Sequence, residues 1–230
     1  MTEKGGFSKK EREEVTKSME TRTEMRVRPE EFEGVLGFSF EVNTLKTTPS
    51  AGWRLAGIPE SRQDSIAGHA EMVAQYAYLL ARMEGLGEKE ALKCVGLAVF
   101  HDNPETRIGD IDKLMARYLD MQKIVQEVYP VIISEQTSQI PNKIGEEIAD
   151  LIKEANLGES REAIIVKDAD ILERAVQGKV YAEGGYKLVR DFLDEKEERK
   201  LKTETAQKLM SLIRQGRNLA TRWRRGLKVE

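Results

Sequence analysis

The sequence predicts an all-α fold, and two observations carry that reading. Leu, Ile, Val and Ala recur at three- and four-residue spacing through most of the 230 residues, the period of a helix face rather than of a strand. Aromatic residues make up only 6% of the chain, few for the core of a β-sandwich. The length suits one large domain with a substantial buried core.

The elements follow in order. Residues 1 to 32 carry charges throughout and lack the apolar side chains that would offset the entropy of ordering, so they read as a flexible leader, with the folded domain over 33 to 230. From about Val35, GFSFEVNTLKTTPSAGWRLAGIPESRQDS reads as a short helix running into a long loop rich in Thr, Pro, Gly and Ser. Asp64 or Ser65 caps the next helix, which runs to about Met83 and stops at Gly85 and Gly87. Its apolar stripe is Ile66, Val73, Ala77 and Leu80, and His69 lies on that stripe. A helix from Glu88 to Phe100 carries Ala91, Leu92, Val95, Ala98 and Val99, apolar on more than one side, which predicts a central helix.

His101 and Asp102 close that helix, and Pro104 discourages its continuation through Asn103. A third helix is predicted over Asp112–Val128, ended by YPVIIS, and two more over Asn142–Asn156 and Ser160–Val176, joined by a Leu157-Gly158 turn. Leu201, Ala206, Leu209, Met210, Leu212, Ile213 and Leu219 predict a long C-terminal helix, with the Glu/Lys run at 195–200 as its solvated start.

Composition excludes several classes. Lys and Arg (37) nearly balance Asp and Glu (40), so no net field draws the whole chain to nucleic acid. Arg214, Arg217, Arg222, Arg224 and Arg225 are suited to phosphate contact, but cations at a helix end also oppose its dipole, and that simpler reading is the stronger. Cys94 is the sole cysteine, which rules out an internal disulfide and a multi-cysteine zinc site within one chain. No apolar stretch resembles a signal peptide or a membrane span, so a cytoplasmic protein is expected.

The chemistry centres on the only two histidines. Neighbouring helix residues project about 100° apart, so His101 and Asp102 do not both enter one core, but at a helix end they can grip one ion from its side. Imidazole with carboxylate suits a divalent ion with positions left for water. His69 is the other histidine. Among the carboxylates, Asp168 and Asp170 in VKDADILERA follow the apolar run Ile164–Val166, where an unpaired charge is costly.

His69, His101-Asp102 and Asp170 in this order resemble the HD-domain metal-dependent phosphohydrolase superfamily. The flanks LKTTPSAGW, IPESRQDSIAGH, HDNPETRIGDI and VKDADILERAVQ resemble its 5′-deoxynucleotidase-like branch, over about residues 40 to 180. The resemblance implies an HD-type helical bundle with an interior metal site, in which His69, His101, Asp102 and Asp170 hold one divalent ion (Mn, Co, Mg or Zn). It implies hydrolysis of 2′-deoxyribonucleoside 5′-monophosphates, with Glu105 handling the attacking water and Asp110 the leaving 5′-oxygen. A triphosphohydrolase and a noncatalytic nucleotide-binding module are the alternatives. A small-molecule nucleotide is the implied partner, and a homodimer the implied assembly. Trp53 is a candidate for stacking on the base or closing the pocket. Members often carry an Arg-Thr just before Gly-Trp, where this chain has Ser50-Ala51; Arg54, Arg62, Arg107 and Lys167 are the candidates to contact phosphate instead. HD proteins with two metals need more histidines than this chain has.

Overall fold

A computed structural model describes residues 8–10 and 29–215. Among these residues there is no β-strand, only an isolated antiparallel bridge between Pro49 and Ser65. The helices are α1 (Pro29–Asn43), α2 (Gly52–Leu55), α3 (Ile66–Met83), α4 (Glu88–Phe100), α5 (Glu105–Ile108), α6 (Tyr129–Thr137), α7 (Asn142–Leu157), α8 (Arg161–Glu183), α9 (Glu195–Glu198) and α10 (Glu204–Arg214). None of the described helices is long and apolar enough to cross a membrane.

Local chemistry sets the long helices. Ser65 Oγ accepts from Gly68 N and starts α3, Ser160 does the same for α8 through Ala163 N, and Thr203 caps α10 through Ala206 N. Gly158, at φ 68°, ends α7 in a left-handed conformation that costs glycine little. The core lies where α3, α4 and α8 meet, filled by Val73, Ala77, Leu80, Leu97, Ile165 and Leu172. Small residues at Ala81, Ala91, Ala98 and Ala169 belong to the same cluster and suit close helix approach.

Several elements depart from the expectations. Helix α1 starts at Pro29, inside the segment read as leader, because proline has no N–H to leave unpaired in a first turn. The remaining leader falls outside the described residues except for 8–10. Helix α4 has the anticipated bounds but buries one face, Ala91, Cys94, Leu97 and Ala98, while Leu92 and Val99 are exposed.

The single helix expected over 112–128 is instead a 3-10 turn at Met115–Arg117, an α turn at Met121–Lys123 capped by Asp120, and a π turn at Ile124–Val128. YPVIIS continues as α6 rather than ending the helix. Pro130 lacks a donor and crowds the preceding turn, and the wider π turn just before it suits that requirement.

Helix α8 runs to Glu183, past Val176, because its Gly178 faces Trp53 and Phe192 and tertiary packing carries the helix through. The long C-terminal helix is two helices, α9 and α10, interrupted over 199–203; Leu219 and the arginines beyond Arg214 lie outside the described residues.

Candidate functional site

The site forms where the C-terminal end of α4 meets α3 and α8. Burial of the Ile66, Ala70, Val73 face of α3 carries His69 inward. Burial of the Ala169, Leu172 face of α8 brings Asp170 and Glu173 opposite it.

His69 Nδ1 lies 2.6 Å from Glu173 Oε2, and its Nε2 lies 3.1 Å from Asp170 Oδ1 and 3.8 Å from Asp102 Oδ2. His101 Nδ1 lies 2.7 Å from the Ala98 carbonyl oxygen, and its Nε2 lies 3.0 Å from Asp102 Oδ2. Both rings thus engage Nδ1 with protein acceptors and turn Nε2 toward Asp102, with His69 reaching Asp170 as well. An acceptor on Nδ1 favours a proton there and leaves Nε2 to face a metal; in the metal-free cluster burial opposes the charged ring, but Asp170 and Glu173 hold His69 well above the ordinary imidazole range. One ligand atom from each of His69, His101 and Asp102 falls within 4.8 Å of the others, and Asp170 Oδ1 is beside them. Two imidazoles and two carboxylates converging in a partly buried cavity fit one divalent cation.

The electrostatics have the same centre. Burial pushes Asp170 up, but Arg174, whose Nη2 is 2.9 Å away, and His69 more than offset it, so its carboxyl lies well below the usual range. Burial likewise opposes ionisation of Asp102, and His101 reverses it. Glu105 is pushed strongly upward, first by burial and then by Asp102 and Asp110, and its Oε2 is buried without a hydrogen-bond partner. Burial also raises Asp110, against the 2.7 Å bond that its Oδ2 accepts from Ala51 N.

His69, His101, Asp102, Glu105, Asp110 and Asp170 all line one cavity of about 320 Å³. A larger cleft of about 990 Å³, between α1 and the α3–α4 pair, is mostly apolar and includes none of these six residues. The smaller cavity is the candidate site, because convergent polar groups, not volume, mark a reactive site.

The other sequence candidates lie elsewhere. Trp53 is 2% exposed, packed edge-on against Tyr181 and tilted against Phe192, and does not line the cavity. Arg54 is tied to buried Asp112 at 2.6 Å. Arg62 Nη1 is 3.4 Å from Tyr186 Oη, Lys167 donates to the Asn156 carbonyl, and Arg107 is held by Glu41 and Glu135. None of the four lines the cavity, whose cations are Lys113 and Arg174. Asp168, the alternative ligand, is buried on another side of α8 and accepts from Lys202 N, Thr203 N and Thr203 Oγ1.

Sequence reasoning missed Glu173, Arg174 and Lys113. The available signal was spacing: Glu173 and Arg174 fall three and four residues after Asp170, within one helical turn of it. The Asn103-Pro104 departure does not displace Glu105. Asn103 N and Glu105 N bond to the carbonyls of Phe100 and Asp102, and Pro104 becomes the N-cap of α5. On the far side, Glu41 accepts from Arg107, Gln136 and Gln139, pinning this turn to α1 and α6.

Among the described residues, an all-helical bundle with His69, His101 and Asp102 clustered beside Asp170 at the junction of three helices is the kind of site that suits a divalent metal. Residues 42–212 match the HD-domain family, and the chain belongs to that family. It is similar to the 5′-deoxynucleotidase HDDC2 of Dictyostelium discoideum, 28% identical over 151 residues that cover 63% of this chain and 75% of that protein. It is also similar to the 5′-deoxynucleotidase hdd1 of Schizosaccharomyces pombe, 30% identical over 145 residues, 59% of this chain and 66% of that one. Among solved structures, the Archaeoglobus fulgidus AF1432 protein shares 26% identity with a TM-score of 0.55, covering 81% of this chain and 97% of that one. A Magnetospirillum magnetotacticum protein described as a predicted metal-dependent phosphohydrolase shares the fold at 20% identity and a TM-score of 0.59, over 83% of this chain and 93% of that one.

Proposed function

We propose that the chain is a metal-dependent phosphohydrolase, and specifically a 5′-deoxynucleotidase that converts a 2′-deoxyribonucleoside 5′-monophosphate and water to deoxynucleoside and inorganic phosphate. One observation carries the reading: His69 Nε2 turns toward Asp170 and Asp102, and His101 Nε2 toward Asp102, in the cavity where Glu105 presents a buried, unpartnered carboxyl oxygen. The similarity to two 5′-deoxynucleotidases supports the substrate class.

His69, His101, Asp102 and Asp170 would hold a divalent cation, which would supply Lewis acidity toward a phosphoryl oxygen and acidify water. Glu105 takes the proton of the attacking water as the new P–O bond forms. Positive charge in the cluster opposes the upward push of Asp102 and Asp110 on Glu105 and favours the ionised form a base needs. Asp110, raised by burial, is suited to hold a proton and deliver it to the departing 5′-oxygen as the P–O5′ bond breaks. Glu173 keeps a proton on His69 Nδ1 and so leaves Nε2 a lone pair.

The test is to strip the protein of metal, restore Mn, Co, Mg or Zn separately, and assay phosphate release from matched deoxy- and ribonucleotide mono- and triphosphates. Metal-restored release of inorganic phosphate from deoxynucleoside monophosphates is the expected result. Release of intact triphosphate overturns the monophosphatase reading, and nucleotide binding without turnover under any metal overturns the enzymatic one.

A further inference from the structure

The cavity has an electrostatic problem that its metal-binding residues do not solve alone. Asp102, Glu105, Asp110, Asp112 and Asp170 contribute to its lining, so a phosphate dianion enters against a wall of carboxylates. The lining offers two permanently cationic side chains, Lys113 and Arg174.

Arg174 stands one turn beyond Asp170 on α8, with Nη2 2.9 Å from Asp170 Oδ2, the oxygen opposite the one beside His69. This contact draws the guanidinium to the edge of the metal centre. A guanidinium has five N–H donors in a planar fork, and its bond to Asp170 engages one nitrogen. Lys113 Nζ is 2.6 Å from Glu197 Oε1 and 5.3 Å from the Phe192 ring centroid, with Phe192 itself in the cavity wall. Glu197 also acts on Arg174, so both cations lie in the field of one carboxylate.

Near the Gly52 turn, the Ala51 N–H is already given to Asp110, and Arg54 is paired with Asp112 at 2.6 Å and does not line the cavity.

We propose that Arg174, assisted by Lys113, forms the anion subsite that receives the substrate's phosphate. This rests on the phosphohydrolase reading of the same cavity. Arg174 grips phosphoryl oxygens with the part of its fork not held by Asp170, and Lys113 exchanges Glu197 for the incoming dianion. Arg174 then has two loyalties: it holds a metal ligand in place and binds the group on which the metal acts.

The probe is inorganic phosphate, titrated calorimetrically into the Mn-loaded full chain, with bound Mn measured for every variant. R174M keeps length and apolar stem, and R174K keeps the charge without the fork. The expected result is that R174M retains Mn but binds phosphate about 10- to 100-fold more weakly, the loss of a charge-assisted contact. R174K falls between R174M and the parent, and K113M weakens binding by a smaller factor. Inhibition by the uncharged deoxynucleoside product stays unchanged.

Unaltered phosphate affinity in R174M overturns the inference. So does a variant that loses Mn yet binds phosphate normally once saturated with it, because Arg174 then serves only to hold Asp170. A parent protein that does not bind phosphate overturns it as well. Absence of nucleotide turnover by the parent counts against the function proposed above, while the phosphate titration still decides the subsite.

Discussion

Asp168 and Asp170 are two carboxylates on one helix with opposite duties, and substitution separates them. Asp168 is 1% exposed, and its Oδ2 accepts from Thr203 N at 2.7 Å, Thr203 Oγ1 at 2.8 Å and Lys202 N at 3.1 Å, while Oδ1 accepts from Lys202 N at 3.0 Å. These bonds fasten the break between α9 and α10, and Thr203 in turn caps α10. Asp168→Ala removes the acceptor for three donors. Hydrogen bonds to a charged group contribute about 1.5–3 kcal/mol each and do not add, so a loss of about 3–5 kcal/mol is expected. For a chain of this size that lowers Tm by roughly 6–20 °C.

Asp168→Asn is milder, about 1–2 kcal/mol, because the amide oxygen can occupy the Oδ2 position. Only Lys202 N then meets an NH2 group at the Oδ1 position, and it keeps the other oxygen. Urea unfolding with metal chelated measures stability alone, and bound Mn per chain measures the site. Asp168→Asn retains its metal, whereas Asp170→Asn loses it. An Asp168→Asn protein that unfolds like the parent but cannot hold Mn would refute this division of roles.

Three further outcomes are expected. Glu173→Gln keeps the size of the partner of His69 Nδ1 but removes its charge, so Mn affinity measured by competition with a chelator falls about 10- to 100-fold. Glu105→Gln keeps bound metal while turnover drops about 10²- to 10⁴-fold; loss of the metal instead makes Glu105 a ligand. Glu41 is held down to about 2, chiefly by its hydrogen bond with Arg107. A carboxylate depressed on folding contributes stability that is present above its unfolded value near 4.5 and is lost as pH falls toward about 2. Stability measured across that window declines less steeply in Glu41→Gln, and an unchanged slope sinks the assignment.

Much of the fold is written locally. The Ser65 and Ser160 caps, the Gly158 stop and the spacing of Ile66, Val73, Ala77 and Leu80 act within one or two turns, so the beginnings of α3 and α8 and the end of α7 are legible without tertiary contacts. The breaks were not. The π turn before Pro130 and the extension of α8 past Gly178 depend on neighbours far away in sequence, such as Trp53 against Gly178.

The sequence by itself determined the kind of site: two histidines limit the centre to one that few imidazoles can hold, and His101-Asp102 at a helix end marks one side of it. Only the tertiary structure decided which carboxylate joins them. Asp168 and Asp170 stand two residues apart, about 200° around a helix, and both follow the same apolar run, so composition treats them alike. Packing of α8 against α3 turns Asp170 to His69 and leaves Asp168 to the loop before α10. The same logic sorts the cations. Neighbours in sequence placed Arg54 beside Gly52-Trp53, but burial of Trp53 against Tyr181 and Phe192, with Arg54 held by Asp112, leaves the cavity to Arg174 and Lys113.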